Sequence, residues 1–141
     1  MTINSLNYKT IEDLVSEWKG VINKIGFQFH TPFGDNDRLR LPYGKIRNQV
    51  VDTLIQLQRK YPDFIMNTQR QLELMKGSWG GGVSNTPIDC PFWAILLLDH
   101  KGQTKHPCCI GSSDPNAIKP ICEKCGIGCY SILVAQGFKN E

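Results

Sequence analysis

Hydrophobic positions in the first half of the chain switch between two periods, and the switching predicts helices and strands in alternation. Ile11, Leu14, Val15 and Trp18 fall at i, i+3, i+4 and i+7, one apolar face of a helix. Thr10, followed by Glu12 and Asp13, reads as its N-cap and acidic first turn, and Gly20 as its stop. From Lys24 to Thr31 the period falls to two. Ile25, Phe27 and Phe29 alternate with Gly26, Gln28 and His30, which predicts a strand. Thr2 to Leu6 is short and mixed and reads as the end of another strand. Thr31 to Asp37 is rich in turn formers and reads as a loop.

The helical period returns after Pro42, which is placed to open a helix. Ile46, Val50, Val51, Leu54, Ile55 and Leu57 form its stripe, ending before Pro62. Asp63 to Thr68 reads as a short apolar strand. Thr68 to Gln71 fits a capping box, with Leu72 and Met75 on one face of the helix behind it. Strand, helix, strand, helix, strand, helix is the order of βα units on a parallel sheet. Right-handed crossovers place consecutive helices on one face of that sheet. Three such strands close no barrel, so the other face and an edge need a cover. The expectation is a partial parallel βα sheet, a piece of a TIM-barrel-like fold. Its cover would be the missing barrel half, another copy of the chain, or the segment that follows.

That following segment has a different character. Gly77 to Pro87 is Gly-rich and reads as a linker, which divides the chain into residues 1–76, a linker over 77–88, and residues 89–141. Phe92 to Asp99 reads as a buried strand, His100 to Gly102 as a turn, and Gln103 to Cys108 as the returning strand of a hairpin. Ser112 to Asn116 reads as a loop and Tyr130 to Phe138 as a closing helix.

Composition narrows the class. A chain of 141 residues with 40% hydrophobic and 21% charged residues is globular rather than disordered. Its net charge of +3 is mild and its basic residues are scattered among acids, so no nucleic-acid stripe emerges. The N-terminus has neither a basic n-region nor an apolar h-region. Phe92 to Leu98, the longest apolar run at seven residues, is too short to cross a bilayer. The expectation is a cytoplasmic protein.

Against that background the cysteines stand out. All six, Cys90, Cys108, Cys109, Cys122, Cys125 and Cys129, fall within the forty residues from Cys90 to Cys129, with none in the 89 residues before. A reducing cytoplasm turns such clustering toward metal or redox chemistry rather than a disulfide framework. Cys122-x-x-Cys125 brings two sulfurs within reach of one ion or cluster. A segment of about forty residues builds little core, and a metal centre replaces one energetically. Three chemistries suit the set: a 4Fe-4S cluster, the leading reading; a closed tetrahedral zinc site; and a redox dithiol. Cys90, Cys122 and Cys125 are the first three ligands, with Cys108 or Cys109 as the fourth. Successive side chains in extended chain point apart, so the adjacent pair should not share one centre. Cys129 joins only if Gly126 to Gly128 turn helically.

Other candidates carry a bland reading beside the functional one. His30 ends a strand at the position where α/β barrels contact substrates, or is simply a polar residue on an alternating strand. His106 is a mixed-site ligand or a solvent-facing hairpin residue, and His100 fits a turn. Asn67 and Thr68 face a barrel mouth or serve the helix behind them. Asp35, Asp37 and Arg38 read as a solvated loop.

These residues resemble a known family. Lys24 to Phe33 and Arg47 to Thr68 look like late βα units of a radical SAM enzyme barrel. Cys90, the Asp99-His-Lys-Gly102 turn, Cys108 and Cys122-x-x-Cys125 resemble the SPASM or twitch extension that follows such barrels. The resemblance implies an auxiliary 4Fe-4S cluster that binds substrate or relays electrons. The chain departs from the family in lacking the Cys-x3-Cys-x2-Cys loop that binds the S-adenosylmethionine-cleaving cluster, and in lacking the early half of the barrel. It implies a C-terminal region that does not cleave S-adenosylmethionine alone. A stand-alone electron-transfer module and a zinc-stabilised interaction domain are the alternatives from other classes.

Overall fold

The computed structural model of the protein describes residues 1–34, 36–42, 44–76, 96, 98–104, 114, 116–118, 132 and 135–137. Within them the order is β1 (Thr2–Ile3), α1 (Ile11–Trp18), β2 (Gln28–Phe29), α2 (Lys45–Lys60) and α3 (Gln69–Leu74). β1 and β2 run parallel, Thr2 opposite Gln28 and Ile3 opposite Phe29. On the other side of the same strand, Ile25 bridges Ile65 in parallel. Its N–H donates to the Phe64 carbonyl at 2.9 Å, and Met66 N–H donates to the Ile25 carbonyl at 2.8 Å. The result is a mixed α/β unit in which a helix follows each extended segment, as the periodicities predict.

The strands are shorter than the alternation suggests. Along 25–29 the burial alternates as expected, with Ile25, Phe27 and Phe29 buried. Regular pairing on the Ile65 side is nevertheless a single bridge, because Pro62 and Asp63 form a turn. Phe64 and Ile65 both donate back to the Tyr61 carbonyl, at 3.1 and 3.0 Å. The strand expected over Asp63 to Thr68 is therefore reduced to the bridge at Ile65. Beyond it the Asn67 side chain stands in for backbone. Its Oδ1 accepts from Phe27 N–H at 2.6 Å and its Nδ2 donates to the Phe27 carbonyl at 3.0 Å.

Helix termini divide the same way. The capping box of α3 is as read: Gln71 N–H donates to Thr68 Oγ1 at 3.2 Å and Thr68 N–H to Gln71 Oε1 at 3.0 Å. Thr10, by contrast, does not cap α1; its hydroxyl donates to the Asn7 carbonyl instead, at 3.2 Å. α2 begins at Lys45 rather than at Pro42. Gly44 precedes it at φ 84°, a left-handed conformation that glycine adopts without a Cβ penalty.

One apolar cluster joins these pieces: Ile3 of β1, Ile11 and Val15 of α1, Phe27 and Phe29, Val50, Val51 and Leu54 of α2, and Leu72 of α3. Trp18, expected on the same face, is 42% exposed. Each fully buried aliphatic side chain contributes about 1.5–3 kcal/mol, against about 1 kcal/mol net for a ladder hydrogen bond. Helix packing therefore outweighs so short a ladder. Arg47 is buried with the cluster, its guanidinium 4.5 Å from the centre of the Phe29 ring and its Nε donating to the Met75 carbonyl at 2.8 Å. It ties the start of α2 to β2 and to the end of α3. Lys76 pairs with Asp52 of α2.

Away from the helices, the sheet carries Thr2, Gln28, His30 and Met66. Gln28 Nε2 donates to Thr2 Oγ1 at 3.2 Å, and Met66 is 63% exposed. Among the described residues this face is mainly polar, not the apolar lining a barrel interior predicts. The outer edge of β1 is also occupied. Asn4 N–H donates to Asn7 Oδ1 at 2.9 Å and Asn7 Nδ2 donates to the Thr2 carbonyl at 3.1 Å. One side-chain amide thus takes the two bonds a neighbouring parallel strand would make there.

In the second part, the predicted turn is present. Asp99 Oδ1 accepts from Lys101 N–H at 2.8 Å and Gln103 N–H at 2.9 Å, Gly102 sits at φ 76°, and Leu98 bridges Thr104 antiparallel. Leu96 and Leu98 are 74% and 53% exposed, so the part of Phe92 to Asp99 that is described is not the buried strand expected. Gln136 N–H donates to the Ile132 carbonyl at 3.1 Å, a bond of helical spacing inside the predicted Tyr130 to Phe138 helix. The Gly77 to Pro87 linker and the rest of the hairpin and closing helix lie outside the described residues. No helix among the described residues is long and apolar enough to cross a membrane.

Candidate functional site

All six predicted ligands, Cys90, Cys108, Cys109, Cys122, Cys125 and Cys129, lie outside the described residues, as does His106. Among the described residues, no three His, Cys, Asp or Glu side chains gather where they could hold a metal ion. His100 lies in the Asp99 to Gly102 turn and is exposed. The polar chemistry that the structure does bring together is at the C-terminal ends of the strands.

There the loop after β2 folds back on His30. His30 Nε2 and Asp37 Oδ2 are 2.8 Å apart, with the two side chains only 20% and 13% exposed. Asp37 also accepts from Phe33 N–H at 3.0 Å and from Leu39 N–H at 2.9 Å. Asp37 is thus the brace of the loop rather than the solvated residue its surroundings in sequence suggest. The loop is stitched to the one after β1, where Ser5 N–H donates to the Leu39 carbonyl at 3.1 Å and Ser5 Oγ to the Arg38 carbonyl at 2.6 Å.

The bond from Phe33 N–H, then that from His30, holds the Asp37 carboxyl down at about 2 from an ordinary 3.8. A carboxyl depressed in the folded state contributes stability above its unfolded value and loses it as the pH falls through the folded one. The Asp37 contribution is therefore complete above about pH 4 and vanishes toward pH 2. The wild-type advantage over Asp37→Asn should shrink steadily across that window in urea melts at stepped pH. A constant advantage from pH 5 to 2 would show that the carboxylate charge is not what braces the loop.

Two of the other strand-end residues are accounted for internally. Asn67 is spent on Phe27, and Thr68 on the α3 cap, so neither is offered to a ligand. Sequence reasoning missed the roles of Asn7 and Arg47, and no periodicity marks either. A groove of about 320 Å³ lies between α1 and α2, lined by Tyr8, Lys9, Ile11 and Glu12 on one side and Ile46, Gln49, Val50 and Thr53 on the other. No protein-family model, curated protein or solved structure matches the chain.

Proposed function

We propose that the protein is an iron–sulfur protein whose cysteine-rich segment binds a 4Fe-4S cluster beside a small α/β unit. The observation that carries this is the confinement of six cysteines to Cys90–Cys129, with a Cys-x-x-Cys step at Cys122 and Cys125 and none in the 89 residues before. The donor set fits the group: four soft thiolates are what such a cluster needs, and six are present. Cys90, Cys122 and Cys125 would hold it, with Cys108 or Cys109 completing the set. When bound by all four, the cluster would supply one-electron chemistry; held by only three of them, it would offer an open iron to a substrate.

The resemblance to SPASM and twitch extensions supports an auxiliary role, with this chain as the C-terminal region of a radical SAM protein. Its partner would then be the missing barrel half or another copy. The polar sheet face and the occupied β1 edge count against a bare barrel fragment. They favour a cluster module whose α/β unit stands by itself.

Anaerobic purification tests the reading. The expected protein is brown, with a broad band at about 400 nm and about four irons and four sulfides per chain. Colourless protein carrying one zinc per chain would replace the proposal with a structural zinc site.

A further inference from the structure

We propose that Asn4 and His30, side by side at the C-terminal ends of β1 and β2, are a recognition pair for a primary carboxamide. The parallel register pairs Thr2 with Gln28 and Ile3 with Phe29, and His30 N–H donates to the Ile3 carbonyl at 2.7 Å. One step further along that register sets Asn4 beside His30, on the face where Gln28 already bonds Thr2. The ends of parallel strands are where open α/β sheets receive ligands.

Each residue has one group committed and one to spare. Asp37 bonds His30 Nε2, and a carboxylate there requires the proton on Nε2. In the neutral imidazole Nδ1 is then a lone-pair acceptor, and it has no partner among the described residues. Asn4 Oδ1 accepts from Leu6 N–H at 2.9 Å, which fixes the amide orientation and leaves Nδ2 as an uncommitted donor. An acceptor and a donor on residues that the register sets side by side match a group that presents N–H and C=O along one edge. A primary carboxamide has an N–H syn to its carbonyl oxygen and meets both. A trans peptide group directs its N–H and C=O oppositely and meets one. Asp37 does not depend on His30 to hold its loop, because Phe33 and Leu39 also bond it. That leaves the imidazole to serve the ligand. The inference stands independently of the cysteines.

Nitrogen-15 spectra of the histidine rings, followed by titration with acetamide and with N-methylacetamide, test it on the full chain. The expected result is a proton on Nε2 of His30 and saturable shifts at His30 and Asn4 with acetamide, N-methylacetamide binding more weakly. His30→Phe should weaken acetamide binding by about tenfold, one ordinary hydrogen bond. Asn4→Ala should do the same and serves if the first variant does not fold. A proton on Nδ1, equal responses to the two amides, no saturable shift, or unchanged binding in a folded variant would each overturn the proposal.

Discussion

Replacing Asn67 with leucine is expected to lower the unfolding free energy by about 3 kcal/mol, as two buried backbone groups lose their partners. Asn67 is 7% exposed and Phe27 3% exposed. The Asn67 amide meets the N–H and the carbonyl of Phe27 at 2.6 and 3.0 Å. Leucine fills similar space and offers neither bond. Asn67→Asp separates the two contributions. It keeps an acceptor for Phe27 N–H but sets a carboxylate oxygen against the Phe27 carbonyl, which raises the folded-state pKa of the new side chain. By linkage that variant should recover stability as pH falls below its folded pKa, where the protonated acid can donate again. Urea melts give both numbers. A loss below about 1 kcal/mol for leucine would mean that Phe27 finds other partners, since the full penalty for a buried unpaired group is larger.

That position also shows what the sequence makes legible. Periodicity signals what a side chain does with apolar surface, so α1, α2 and the buried alternation of Ile25, Phe27 and Phe29 were readable in advance. The Thr68 capping box was readable too, because its two partners lie three residues apart. Asn67 and Asn7 were not, because each replaces a missing strand with one amide, and no spacing rule announces that substitution. Thr10 shows the limit of local rules: its hydroxyl donates to the Asn7 carbonyl and caps no first-turn N–H group. Arg47 carries no signal at all in sequence, since a lone arginine at the start of a helix is usually solvated. Of the strand-end chemistry, His30 was legible as a candidate. Asp37, seven residues on, acquires its role only when the loop closes.

The cysteines invert that relation, being plain in sequence and outside the described structure. Changing Cys122 and Cys125 together to serine is expected to abolish iron binding. A serine hydroxyl stays protonated near neutral pH and is a harder, poorer ligand for iron than a thiolate. With the Cys-x-x-Cys pair gone, two of four ligands are lost at once. The adjacent pair should behave differently. Neighbouring side chains in extended backbone project to opposite sides, so serine at one of Cys108 and Cys109 should leave the iron content unchanged and serine at the other should not. The α/β unit gives an internal control, since among the described residues its buried apolar cluster runs from Ile3 to Met75. Amide exchange of Val51 and Leu54 in α2 should therefore stay slow in the double variant while iron and sulfide fall to background. Full iron and sulfide content in that variant would remove Cys122 and Cys125 from the ligand set. Fast exchange in α2 would show that the unit depends on the metal after all.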